Sequence, residues 1–198
     1  MSRTLNPSIV LAAYRRGIFP WPLSSRVVPW VSPDPRAVRP LDQPLRWSRS
    51  LRRTLRSSQF QVTTNQAFRD VIVECGRDRS EGTWITTDLL DTYTQLHELG
   101  WAHSVEVWSS VDGSLVGGLY GIAVGGMFAG ESMFHRVTDA SKVAFAHTAE
   151  RLQSRGFLLF DVQVLSHHLA SLGCRAMSRR EFLDRLIGAQ TIRARFGD

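Results

Sequence analysis

The chain has 198 residues, a formal net charge of +6 and a hydrophobic content of 43%. This length and apolar content predict one domain with a buried core and exclude a disordered tail. Two widely separated cysteines, Cys75 and Cys174, argue against a disulfide-stabilised scaffold and favour a reducing compartment.

The first half of the chain predicts short helices and extended pieces. Asn6 followed by Pro7 indicates a helix start, because a capping side chain precedes a proline at the first helical position, and this helix ends near Arg16. Residues 18–46 contain seven of the eight prolines and predict irregular or short extended structure. Four further elements follow in order: a basic helix capped by Ser48 and ending at Arg56, a strand over 60–64, a helix capped by Asn65 and ending near Cys75, and a helix over about 87–99.

The second half predicts a sheet with helices packed against it. Residues 102–109 alternate between apolar and polar side chains, which is typical of a strand. The uncharged run over 113–130 contains seven glycines, and we expect two antiparallel strands there rather than a membrane helix. The remaining elements follow in order: a helix over about 139–155, a buried strand over 157–163, a short helix over about 166–172, and a last helix capped by Ser178.

This order of elements indicates the α+β class, with a mixed, mostly antiparallel sheet flanked by helices. From about residue 60 onward the pattern resembles the acyltransferase fold of the GCN5-related N-acetyltransferases. We expect residues 1–59 to form a small N-terminal subdomain and residues 60–198 to form the acyltransferase-like catalytic domain. Glycines are expected in the loop that binds pyrophosphate in such acetyltransferases, but residues 135–142 contain none, which argues against coenzyme A.

The charge is distributed unevenly along the chain. The net charge is +9 over residues 1–56, −7 over 57–135 and +4 over 136–198, which predicts one face for a polyanion and another for a cationic partner. Five aromatic residues are interleaved with arginines in the basic part: Tyr14, Phe19, Trp21, Trp30 and Trp47. Arginines neutralise phosphates and aromatic rings stack on unpaired bases, so the pattern fits nucleic-acid binding. It fits equally well a set of aromatic anchors for a proline-rich segment.

Three polar residues stand in apolar surroundings. Asp161 and Gln163 lie on the expected buried strand with one residue between them, so alternation puts both side chains on one face. Such groups are costly to bury unless they are satisfied, which leaves either a structural hydrogen-bonded pair or a reactive site. Glu131 ends the glycine-rich run and either caps the next segment or receives a cationic ligand.

Eight short motifs resemble those of the leucyl/phenylalanyl-tRNA–protein transferases. They occur in the family's order between about residues 10 and 185: AYRRGIFPW over 13–21, WVSPDPRAV over 30–38, GTWI over 82–85, HSVEVW over 103–108, LVGGLYG over 115–121, GESMF over 130–134 with ASK at 140–142, DVQ over 161–163 and ASLG over 170–173. Each motif is weak alone, but eight in order are specific. Family members usually carry an earlier GLLAxGGDLS-like stretch, so we expect part of the small domain to be missing.

The resemblance implies a cytoplasmic enzyme that transfers Leu or Phe, and Met less well, from aminoacyl-tRNA to a protein N-terminus. The acceptor begins with Arg or Lys, and the product is marked for degradation by the N-degron pathway. The resemblance also implies no metal, no coenzyme A or other cofactor and no membrane, and nothing in the sequence indicates an obligate dimer. Two alternatives stay open: a GCN5-type acetyltransferase of a small molecule or protein, and a non-catalytic RNA-binding relative.

Site residues also follow from the resemblance. Asp161 and Gln163 are implied as the catalytic pair, and Glu131 as the group that binds the acceptor N-terminus. Three aromatic residues are implied around the terminal adenosine of the tRNA: Trp21, Trp84 and Tyr14. Five apolar residues are implied around the aminoacyl side chain: Phe128, Met133, Phe145, Leu152 and Phe160. Because an amide oxygen is only weakly basic, we expect Gln163 to orient the amine, with Asp161 fixing the direction of the amide.

Overall fold

A computed structural model describes residues 5–21, 28–77 and 85–197. The helices in these ranges are α1 (Pro7–Tyr14), α2 (Arg49–Arg56), α3 (Phe68–Gly76), α4 (Thr87–Glu98), α5 (Ala140–Ser154), α6 (His167–Ser171) and α7 (Arg179–Gln190). The strands are β1 (Phe19–Pro20), β2 (Trp30–Val31), β3 (Arg36–Arg39), β4 (Phe60–Thr64), β5 (Ala102–Ser109), β6 (Leu115–Val124), β7 (Met127–His135), β8 (Leu159–Gln163) and β9 (Arg175–Met177).

The main sheet is mixed and has seven strands in the order β4-β5-β6-β7-β8-β3-β9. All neighbouring strands are antiparallel except β7 and β8, which are parallel, so the α+β class predicted from the sequence is confirmed. The parallel ladder between β7 and β8 has only three residue pairs and ends where Ala129 faces Asp161. Beyond this point a pocket lies between the ends of the two strands.

The main sheet includes one strand from the first 59 residues of the chain. β3 belongs to the first part of the chain, but it is inserted between β8 and β9, with Val38 opposite Asp161 and Arg39 opposite Phe160. β3 has four residues and lies within the range 18–46, where short extended structure was predicted, but its place in the main sheet was not. The N-terminal part therefore supplies the strand directly beside Asp161 and Gln163.

Most helix starts follow the predicted caps. The side chains of Asn6, Ser48 and Ser178 accept hydrogen bonds from the first turns of α1, α2 and α7. The expected cap at Asn65 is wrong, because this residue has φ 60 and its side chain accepts from the Ser104 main-chain N–H instead. α3 consequently begins later, and α1 ends two residues earlier than expected.

Two apolar clusters pack on opposite faces of the sheet. Leu119 and Tyr120 are adjacent on β6 but belong to different clusters, as alternation along a strand requires. The glycine-rich run forms β6 and β7, and a Cβ at Gly117 would lie 2.6 Å from the Ala140 Cβ at the start of α5. Glycine therefore allows the close approach of α5 to the sheet. Among the described residues, no helix has the length and apolar character that crossing a membrane requires.

The segment after α7 closes the core at Phe196, whose ring is 1% exposed. This ring stacks on Phe128 with centroids 4.7 Å apart, and the Arg151 Nε donates a 2.7 Å hydrogen bond to the Phe196 carbonyl. Phe128 in turn contacts Phe160 edge-on, with centroids 5.8 Å apart. The C-terminal segment is thus part of the packing behind β7 and β8.

We expect the substitution Phe196→Ala to lower the free energy of unfolding by about 3–5 kcal/mol, because it leaves a cavity next to Phe128. Urea unfolding followed by fluorescence measures the change. Val111 is 93% exposed, and Val111→Ala is the matched control with an expected change within about 0.5 kcal/mol. Equal unfolding midpoints for the two variants would contradict a contribution of Phe196 to the core.

Candidate active site

The pocket between β7 and β8 has a volume of about 90 Å³. Its walls are mostly apolar, and three polar side chains, Glu131, Ser132 and Gln163, lie among them. The lining residues are Leu119, Gly130, Glu131, Ser132, Met133, Phe145, Phe160, Val162, Gln163 and Leu169. An apolar pocket with a few convergent polar groups is the usual form of a small-ligand site.

The structure brings three of the five expected pocket residues to the pocket: Met133, Phe145 and Phe160. The other two pack elsewhere in the core. Phe128 is fully buried between the rings of Phe160 and Phe196, and Leu152 is fully buried on α5 in the core, so neither lines the pocket. Three lining residues that the sequence did not suggest are Leu119, Val162 and Leu169.

Glu131 is held by hydrogen bonds from two other elements. The Tyr93 hydroxyl on α4 donates to its Oε2 at 3.2 Å, and the Gln163 Nε2 donates to its Oε1 at 3.0 Å. The Tyr93 hydroxyl also lies 2.9 Å from that of Tyr14. Sequence reasoning missed Tyr93, because the residue lies outside the motifs and has only the period of an amphipathic helix as a signal.

The protonation of Glu131 is strongly perturbed. Burial of the carboxyl group raises its pKa to about 8, and the negative charge of Asp161 raises the pKa further. Hydrogen bonds from Tyr14 and Tyr93 and the positive charge of Arg36 act in the opposite direction and lower the pKa. Burial likewise raises the pKa of both tyrosines, so their hydroxyls remain protonated donors. A bound cation beside Glu131 would stabilise the ionised carboxylate.

Asp161 is fully buried and forms a two-pronged ion pair with Arg36, which is 1% exposed. The Arg36 Nε donates to Oδ1 at 2.8 Å and its Nη2 to Oδ2 at 2.6 Å. Oδ1 also accepts the main-chain N–H of Gln163 at 2.9 Å. Asp161 contacts Gln163 through the main-chain N–H, and the Gln163 carboxamide bonds to Glu131.

Gln163 has an unusual main-chain conformation for a residue other than glycine, with φ 66. Its Nε2 faces Glu131, which turns its Oε1 away from that carboxylate and makes it an acceptor for a ligand N–H. Glu131 and Gln163 together can therefore bind and orient an amine beside an apolar pocket.

The three aromatic residues expected around an adenosine differ in their surroundings. Tyr14 is 1% exposed, so its ring has no free face for stacking, and its hydroxyl instead joins the Glu131 network. Trp21 is 45% exposed and contacts Phe19 edge-on with centroids 5.9 Å apart. Trp84 lies outside the described residues.

Basic side chains of α2 form an exposed surface. Arg49, Arg52, Arg53 and Arg56 are exposed and line one open groove, and none of them forms an ion pair with a residue that the structure describes. In the same ranges of the chain, no group of three or more His, Cys, Asp or Glu side chains could hold a metal ion.

Comparison with protein families identifies the chain over most of its length. Residues 40–187 match the family described as leucyl/phenylalanyl-tRNA protein transferase, and residues 3–34 match the N-terminal domain of that family. The chain belongs to the leucyl/phenylalanyl-tRNA protein transferase family. The short gap between the two matched regions contains β3.

Curated members of the leucyl/phenylalanyl-tRNA protein transferase family are similar over most of their length. The transferase of Aromatoleum aromaticum is 54% identical over 90% of this chain and 75% of its own. That of Edwardsiella ictaluri is 49% identical over 94% of this chain and 76% of its own. A solved GCN5-related N-acetyltransferase from Sphaerobacter thermophilus matches at 15% identity with a TM-score of 0.42, over 74% of this chain and 50% of that chain. Its identity to these curated transferases shows that the protein is an enzyme, an aminoacyltransferase.

The perturbed carboxyl group predicts a pH-dependent effect of Glu131→Gln on stability. The folded-state pKa of about 8 lies above the ordinary value of 4.5, so between these pH values the folded protein holds a proton that the unfolded chain has released. Stability from this group therefore falls as the pH rises through that window. Since glutamine stays neutral, we expect Glu131→Gln to raise the Tm at pH 9 by at least about 2 °C, equivalent to about 1 kcal/mol.

Thermal unfolding of the wild type and the variant at pH 5 and pH 9 tests this expectation. At pH 5 the two proteins should unfold at similar temperatures, because Glu131 is protonated in the folded state. A lower Tm for Glu131→Gln than for the wild type at pH 9 would contradict the raised pKa.

Proposed function

We propose that the protein transfers leucine or phenylalanine, and methionine less well, from aminoacyl-tRNA to the N-terminal amine of proteins that begin with Arg or Lys. The observation that carries this proposal is the meeting of Glu131 and Gln163 beside an apolar pocket in a chain of the transferase family. On this proposal the enzyme acts as a cytoplasmic monomer, and its products enter the N-degron pathway.

The proposed reaction is the aminolysis of an ester. The acceptor amine attacks the carbonyl carbon of the aminoacyl group, a C–N bond forms, and the C–O bond to the ribose breaks. The charged acceptor N-terminus first releases one proton to the solvent and becomes a neutral amine that can attack. After the attack the nitrogen loses a second proton, and the leaving ribose oxygen gains one. Because the ester is already reactive, alignment of the amine and stabilisation of charge can supply most of the acceleration.

Glu131 and Gln163 have complementary tasks in this reaction. The ionised Glu131 attracts the positively charged N-terminus of the acceptor, and the Gln163 Oε1 accepts an N–H bond from the same nitrogen. Arg36 binds both oxygens of Asp161, and Asp161 acts by holding the Gln163 main chain.

The pocket and the basic surface support the assignment of the donor. Met133, Phe145 and Phe160 provide apolar walls that suit a leucine side chain, and one methylene changes the binding energy there by only about 1–3 kcal/mol. The exposed ring of Trp21 is available to stack on a terminal base, and the α2 arginines are available to phosphates.

The first test measures transfer of labelled leucine from Leu-tRNA to a peptide that begins with Arg, compared with the same peptide beginning with Ala. We expect transfer to the first peptide only. Substitution Gln163→Ala should lower kcat by about 100-fold or more, since it removes a group that contacts the reacting nitrogen. Gln95→Ala changes an exposed glutamine on α4 and should retain wild-type activity. Wild-type activity in Gln163→Ala would refute the catalytic assignment.

Binding of aminoacyl-tRNA should weaken steeply with salt, because cations are released from each neutralised phosphate. We expect Arg53→Gln on α2 to reduce the slope of log Kd against log salt concentration by about 0.7–0.9, as the loss of one phosphate contact would. Arg180→Gln replaces an exposed arginine on α7 and should leave the slope unchanged. Filter-binding or fluorescence titrations at four salt concentrations measure it, and a slope near zero for the wild type would exclude the basic surface as the tRNA site.

A further inference from the structure

Arg36 is a buried charged side chain beside the site, and every part of its guanidinium has a contact. Its guanidinium binds both oxygens of Asp161 and donates a third bond to the Gly17 carbonyl at 3.0 Å. It also lies between two aromatic rings, 4.6 Å from the centroid of Phe19 and 4.5 Å from that of Phe182. This arrangement holds the guanidinium on every side.

We propose that Arg36 is a positioning residue for the transfer reaction, which aims Gln163 into the pocket by immobilising Asp161. The inference rests on the proposed function, because it assigns Arg36 a part in that reaction. Arg36 itself does not line the pocket, and it acts through the carboxylate that it binds.

The first step of the connection is the state of Asp161. A carboxylate without access to water is costly unless it is paired and hydrogen-bonded, and here one arginine satisfies both oxygens. The planar fork of arginine fixes the plane of the carboxylate as well as its charge. Oδ1 is therefore held where it can accept a further bond.

The second step is the main-chain turn at the end of β8. Oδ1 of Asp161 accepts a hydrogen bond from the main-chain N–H of Gln163 at 2.9 Å. Gln163 has a φ of 66, in the left-handed region that residues other than glycine rarely adopt. The hydrogen bond holds the turn, and the turn directs the Gln163 carboxamide to Glu131 at 3.0 Å. A shift of the carboxylate would therefore move the group that meets the attacking amine.

The third step is the connection to the N-terminal part of the chain. Arg36 lies on β3, and its contacts to Gly17 and Phe19 join the segment that leads to Trp21. One side chain thus connects the catalytic strand with the segment that carries the proposed adenosine-binding ring.

The test compares Arg36→Lys with Arg39→Lys. The variant is expected to fold, because lysine keeps a positive charge beside Asp161. Lysine cannot bind both oxygens of Asp161 in one plane, so the carboxylate is held less firmly. Arg39 is the matched control, because it is a buried arginine on the same strand whose contacts are the Gly173 carbonyl and the ring of Trp47. We expect Arg36→Lys to lower kcat for leucyl transfer about tenfold to hundredfold. The KM for Leu-tRNA should change less than about twofold, as is characteristic of an interaction used only in the transition state.

Two further measurements separate positioning from general stability. Hydrogen exchange of the Gln163 amide should accelerate in Arg36→Lys and stay slow in Arg39→Lys. In an Asp161→Asn background, Arg36→Lys should cause no further loss of kcat, since residues that act through one contact have non-additive effects.

The outcomes are distinguishable. Leucyl transfer at the wild-type rate by Arg36→Lys, or equal losses of kcat in Arg36→Lys and Arg39→Lys, would overturn the role of Arg36 and leave the proposed function standing. Additive losses in the double variant would overturn it in the same way. A wild-type protein that does not transfer leucine to the Arg peptide would overturn the proposed function and this role together.

Discussion

The buried ion pair between Arg36 and Asp161 is the contact through which the two parts of the chain build one site. Burial of either charge alone would be strongly unfavourable, but the guanidinium satisfies both carboxylate oxygens and reaches the Gly17 carbonyl. The pair requires β3 to lie beside β8, and it brings the N-terminal segment against the strand that carries Gln163. The left-handed turn at Gln163, and hence the polar edge of the pocket, depends on the oxygen that this pair holds in place.

Glu131 presents the opposite electrostatic situation. Neutral groups donate to it, namely the hydroxyl of Tyr93 and the amide of Gln163, and no described Lys or Arg binds its oxygens. Burial without a bound cation raises the pKa of this carboxyl group and makes its ionised form costly in the free enzyme. A positively charged ligand beside Glu131 would lower this cost, and this is the basis of the role proposed for Glu131.

Local sequence patterns were sufficient for most of the fold. Alternation predicted the bounds of β5, the apolar run predicted β8, and the capping residues before α1, α2 and α7 were correctly placed. These features depend on neighbours within a few residues. Asn65 shows the limit, because its side chain bonds to Ser104, 39 residues away, rather than to the helix that follows it. The pairing of β3 could not be predicted for the same reason, since a four-residue strand has little pattern of its own and its partners in the sheet are distant in the chain.

For the site, the sequence by itself determined the family, through eight motifs in order, and the resemblance singled out Glu131, Asp161 and Gln163 as candidates. Only the tertiary structure decided what these residues contact. Arg36 and Asp161 are separated by 125 positions and meet because of the strand order, which no local pattern encodes. The fold also buries Tyr14, and it places Phe128 behind Phe160, which lines the pocket. Neither could be predicted locally, because the exposure of a side chain depends on the packing around it and not on its residue type.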